Sequence, residues 1–164
     1  MKKGFTLISK ACKGFTLIEI LVVISITGFL VVMGIASYNE FNRRQILDQA
    51  AKNVLNDLRF AQSKASMGNK GKEDASECVS SDTLVGWKFE ILSDTQYRIY
   101  GVCGSKPIFG TKTVNLPSSL IISGSTILFK PLNLGIDQDI TITITGYSNT
   151  KRINVLKAGT ININ

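Results

Sequence analysis

Histidine is absent from the 164 residues, which excludes histidine triads, histidine general bases and histidine-ligated metal centres together. Cysteine occurs only at Cys12, Cys78 and Cys103, too few for a disulfide-dense scaffold and never as a CxxC pair. Proline is missing until Pro107, so nothing before it forces a helix to break. Acidic residues are missing from positions 1–14, where Lys2, Lys3, Lys10 and Lys13 supply four of the seven net positive charges. The rest of the chain carries only +3, so the isoelectric point near 9.4 does not by itself argue for nucleic acid. The one glycine-lysine run, GNKGK at 68–72, lacks the strand-then-helix setting and the Lys-Ser/Thr ending of a phosphate loop. Asp137 and Asp139 read as a solvated turn rather than a site. With no nucleophile–base pair and no ligand cluster, the chain is expected to be no enzyme and to need no metal or cofactor.

What the chain does have is one long apolar run. Phe15–Ala36 is 22 residues with a single charged side chain, Glu19. As a helix it would measure roughly 33 Å, about one hydrocarbon core. The lysine tail before it predicts a cytoplasmic N-terminus and an exported C-terminal bulk. A cleaved secretory signal has a shorter apolar core, about 7–15 residues, followed by a small-residue cleavage site. A retained single-pass membrane helix is therefore expected. Glu19 is anomalous, because a carboxylate well inside such a run costs about 2.5–3.5 kcal/mol. No Lys or Arg lies between Phe15 and Asn42 to pair with it. Either it snorkels to the interface or stays protonated, or its partner lies on another chain.

Beyond Ala36 the helical pattern continues over 37–67. Leu47, Ala51, Val54, Leu58, Ala61 and Ala65 recur at spacings of four and three, while Asp48, Gln49, Lys52, Asn53, Asp57 and Arg59 fall on other faces. Three alanines among six positions read as a face packed on the chain's own sheet rather than a coiled-coil seam. The helix should stop near Met67-Gly68. Residues 68–83 read as a surface loop. From 84 to 164 the pattern is that of strands: Trp87, Phe89 and Ile91, then Tyr97 and Ile99, alternate with polar neighbours. Ile108–Leu116, Leu120–Ile122 and Thr126–Phe129 are further candidates. Ile140, Ile142 and Ile144 alternate with threonines, Gly146–Asn149 turns, Ile153–Leu156 returns, and Ala158-Gly159 turns into Thr160–Ile163. One long helix packed on an antiparallel sheet is an α+β domain. Cys78 and Cys103 are either bridged or two separate thiols, and export favours the bridge, worth about 3 kcal/mol if unstrained.

The stretch Lys13-Gly14-Phe15-Thr16-Leu17-Ile18-Glu19 resembles the type III signal of type IV prepilins and type II secretion pseudopilins. The resemblance implies that a prepilin peptidase cuts on the cytoplasmic side between Gly14 and Phe15 and methylates the new amine of Phe15. It removes 1–14, Cys12 included, as a leader, and pairs Glu19 with the N-terminal amine of a neighbouring subunit. An echo at Lys3–Ile8 lacks the glutamate and would leave Lys10 and Lys13 in the membrane, so it reads as a nonfunctional duplicate. The C-terminal half, with Phe129-Lys130-Pro131-Leu132-Asn133-Leu134-Gly135 before the Ile/Thr strand, and Leu58-Arg59-Phe60-Ala61-Gln62 on the helix, is similar to H-type minor pseudopilins and FimT-like minor pilins. The implied fold is a lollipop, and the implied partners are the peptidase, other pilin or pseudopilin subunits and an inner-membrane assembly platform. A second function, DNA capture during natural transformation, would fall to Lys151, Arg152 and Lys157, with Lys130 as an outlier. An ordinary solvated strand edge explains the same residues.

Overall fold

A computed structural model describes residues 14–71, 78, 81–104, 108–132 and 135–164, with the backbone alone at Gly34 and Ala36. The lysine tail, its duplicated motif, Cys12, most of the 72–80 loop and Asn133-Leu134 lie outside the described residues. One helix, α1 (Leu17–Ser66), is followed by eight strands: β1 (Leu84–Ser93), β2 (Gln96–Cys103), β3 (Phe109–Asn115), β4 (Leu120–Ser123), β5 (Ile127–Phe129), β6 (Ile140–Gly146), β7 (Asn149–Val155) and β8 (Ile161–Ile163). The chain divides into two compact units, residues 1–40 and 41–164.

In the first unit every side chain described from Gly14 to Glu40 is exposed. α1 is long and apolar enough here to cross a membrane. The two hydroxyl residues of its apolar run are already satisfied: Ser25 Oγ donates to the Leu21 carbonyl at 2.8 Å, and Thr27 donates to that of Val23. Back-bonding of this kind removes the cost of taking a hydroxyl out of water.

In the second unit the alternating stripe is the buried face of α1. Leu47, Ala51, Val54, Leu58, Ala61 and Ala65 are all buried. They join one core with Trp87, Phe89, Tyr97, Ile99, Ile127 and Phe129 from one sheet and Leu120, Ile122, Ile142, Ile144, Ile153 and Val155 from another. The helix stops where glycine allows it. Gly68 takes φ +62°, its N–H donates to the Ala65 carbonyl, and the Asn69 N–H donates to that of Lys64. These two bonds cap the orphan carbonyls of the last turn.

The strands form two four-stranded antiparallel sheets, ordered β3-β2-β1-β5 and β4-β6-β7-β8. From β3 to β6 the chain alternates between them, so β4 and β5 leave their sequence neighbours. Sequence alternation reports which side of a strand is apolar, not which sheet it joins, and could not show this. A bond from the Ile122 N–H to the Asp94 carbonyl ties β4 to the β1–β2 turn at 2.7 Å. Gly101 lies beneath the Phe109 ring, where any side chain would collide, and Phe109 and Phe60 both meet Trp87 edge-on.

Asp57 departs from its expected place on the polar face: it is only 9% exposed. Tyr97, fully inside the core, donates its hydroxyl to Asp57 Oδ2 at 2.8 Å, and Lys112 Nζ reaches Oδ1 at 2.5 Å. Asp57 sits on the flank of the stripe, and its two partners arrive from β2 and β3. Burial, with Asp57 second, pushes the Tyr97 hydroxyl far above the ordinary tyrosine range. Asp57→Ala strands that hydroxyl and is expected to cost about 1–3 kcal/mol. Lys112→Ala should cost less than about 1 kcal/mol, because the lysine side chain is half exposed. Urea unfolding of the detergent-solubilised chain, followed by Trp87 fluorescence, checks the order; equal losses would place the stabilisation elsewhere.

Candidate functional site

The start of α1 is built by one residue. Thr16 accepts the N–H groups of Glu19 and Ile20 on its carbonyl at 3.1 and 3.3 Å, and that of Glu19 also on Oγ1 at 3.3 Å. It is the N-cap, and Glu19 three residues on occupies the capping-box position. The expected helix from Phe15 therefore begins two residues later, because the threonine takes the first amides. Gly14, Phe15 and Thr16 are non-helical and exposed. Glu19 lies in the first turn, where the positive end of the helix dipole favours a carboxylate.

Residues 9–35 match the model of the prokaryotic N-terminal methylation motif. The motif supports a type IV pilin-like protein that prepilin peptidase processes, and its span takes in Gly14, Phe15 and Glu19 together with most of the apolar run. It does not reach the β domain, and no curated protein and no solved structure matches the chain. An apolar helix following such a motif fits a membrane-anchored pilin-like chain.

The basic residues singled out near the C-terminus do not gather on one surface. Lys151 shares the inward parity of Ile153 and Val155, and its Nζ lies 3.2 Å from Asp48 on α1. Arg152 points to the opposite face of β7, and its backbone pairs in both directions with Asn164. Lys157 is exposed in the following turn, where its N–H donates to Asp139 Oδ1 at 2.6 Å. Lys130 pairs with Asp137, so both aspartates serve turn structure. Among the described residues no group of three or more cysteine or acidic side chains is disposed to hold a metal.

Cys78 and Cys103 are joined, with Cα atoms 6.0 Å apart and a sequence separation of 25. Both are buried, and the bridge fastens Cys78 to the end of β2. Replacing both cysteines by serine is expected to lower stability by about 3 kcal/mol. The shift should appear as a lower urea midpoint that dithiothreitol reproduces in the wild type. A wild type indifferent to the reductant would contradict it.

A second polar cluster lies on the outer face of the β1–β2 pair. Arg98 binds Glu90 at 2.7 and 2.6 Å through Nε and Nη2, and the Tyr100 hydroxyl donates to the same carboxylate at 3.0 Å. The Arg98 hydrogen bond, supported by Tyr100, holds Glu90 below the ordinary carboxylate value of 4.5, against the opposing effect of its partial burial. A carboxylate whose folded-state pKa is depressed contributes fully above its unfolded value and loses the contribution as pH falls through the folded one. Wild type should therefore exceed Glu90→Gln in stability at pH 7, with the gap closing below about pH 4.5. Denaturation midpoints of the two proteins across that range test it; a gap that widened in acid would reverse the sign.

Proposed function

We propose that the chain is a minor pilin or pseudopilin, made as a precursor, cut between Gly14 and Phe15, methylated on Phe15 and assembled into a type II secretion pseudopilus or a type IV pilus. The observation that carries the reading is the methylation motif lying across a capped apolar helix with Glu19 in its first turn. Its own chemistry is assembly. Residues 15–36 would leave the bilayer to pack in the filament core, and Glu19 would receive the N-terminal amine of a neighbouring subunit. The α+β domain would then stand on the extracytoplasmic side. The likeness of the Phe129–Gly135 and Leu58–Gln62 stretches to H-type minor pseudopilins is what favours a minor subunit of that type. DNA capture has less support, because Lys151 faces α1 while Arg152 faces away from it.

Intact mass and N-terminal sequencing of protein from its native membrane should show a mature chain beginning at Phe15, carrying one added methyl group. Glu19→Ala should leave the cut unaffected, since the scissile bond is four residues away, and abolish incorporation into sheared filaments. An uncut wild-type chain beside an active prepilin peptidase would overturn the reading. A Glu19→Ala chain that assembles normally would remove that residue from it.

A further inference from the structure

The β6–β7 hairpin grips α1 from two sides just after Phe41. At its tip Tyr147 and Ser148 have φ of 53° and 64°, a left-handed pair without glycine. Non-glycine residues seldom adopt this backbone, and it persists where surroundings enforce it. Here the Arg43 guanidinium lies over the Tyr147 ring at 5.4 Å, and the Tyr147 hydroxyl donates to Ser119 Oγ at 2.8 Å. About 140° further round the helix, Asp48 meets Lys151. Arg44, Leu47, Asp48, Asn149, Thr150 and Lys151 line an open cavity of about 270 Å³ at that junction.

We propose that this cavity takes the phosphate of an anionic phospholipid from the membrane in which the chain is anchored. The inference rests on the membrane-anchored reading above. Three observations favour a lipid. Arg44 lies eight residues after Ala36, so even a fully extended chain keeps it within roughly 29 Å of the apolar run, whatever the disposition of the two units. Tyr38, 67% exposed, precedes Arg43 and Arg44 by five and six residues, and amphipathic tyrosine rings settle at headgroup depth. The Arg44 guanidinium, the Lys151 ammonium and the Asn149 amide reach the lining as donors suited to a phosphodiester, although Asn149 already donates to the Tyr147 carbonyl and Arg44 keeps a contact of its own. Asp48 is the acidic member of the lining, and a bound phosphate would share Lys151 with it.

The test uses the full chain in nanodiscs of phosphatidylcholine alone and of phosphatidylcholine mixed with phosphatidylglycerol. A photo-crosslinking amino acid at Asn149, which shares the face of Lys151, reports lipid adducts by intact mass. Adducts should be several-fold more abundant with phosphatidylglycerol. They should fall about fivefold for each of Arg44→Ala and Lys151→Ala, the effect of removing one basic residue near an anionic surface. Arg44→Lys and Lys151→Arg should restore them, and Lys88→Ala, on the other sheet, should leave them unchanged. Equal yields in the two discs, or yields indifferent to Arg44 and Lys151, would overturn the proposal while leaving the anchor intact. Preferential cross-linking to added single-stranded DNA at matched phosphate concentration would give the cavity to nucleic acid and overturn it as well. A chain that enters neither disc would overturn the anchored reading and this inference with it.

Discussion

One α-helix here has to satisfy two solvents. Its backbone can do so unchanged, because every interior N–H and C=O closes within the helix and asks nothing of the surroundings. What changes is the side-chain pattern. Up to Ala36 the surface is apolar on all sides but for Glu19, as a lipid-facing helix requires, and from Leu47 it narrows to one stripe, as a protein core requires. The rest of the structure depends on that stripe. The inner faces of both sheets close against it, and three of its six residues are alanine, which lets the sheets approach the helix closely. A helix with bulkier residues at Ala51, Ala61 and Ala65 would push those faces apart.

The features that were legible in the sequence are those set by a local period. The stripe, the helix end at Gly68 and the strand alternations from Trp87 onward each follow from residues within a few positions of one another. The turn after Gly146 was also legible, but its backbone was not. Tyr147-Ser148 lacks the glycine or asparagine that marks a left-handed pair, because its conformation is imposed by Arg43 and Ser119, far away in sequence. The division of strands between two sheets escaped for the same reason. Alternation shows that Ile122 and Ile127 point inward, not that they point inward from different sheets.

Asp57 shows where residue type misleads. As an aspartate between Asn56 and Leu58 it belongs, by polarity, on the wet side. It is held inside because Tyr97 brings a hydroxyl into the core that needs an acceptor, and Lys112, on an outer strand, supplies the compensating charge from the rim. Each member is unremarkable alone. The inward lysine also keeps the β3 edge from presenting a bare row of backbone groups beside an apolar face. At the candidate site the balance runs the other way, because the glycine, the capping threonine and the glutamate all fall within six residues, Gly14 to Glu19, where local sequence alone sets the cap.

On the proposed reading, proteolysis does more than remove a tail. In the uncut chain the nitrogen of Phe15 is an amide, and Glu19 has the helix dipole and the first-turn amides for company but no counter-charge within the apolar run. Cutting after Gly14 turns that amide into an ammonium, and methylation leaves its charge in place. Only then do two subunits carry the opposite charges needed to pair. The attraction between them is strongest where water is excluded, so it favours subunits brought side by side in an apolar core over subunits scattered in the bilayer interface. A carboxylate that is a liability in the precursor thus becomes a register mark in the product, and the peptidase decides when the change occurs.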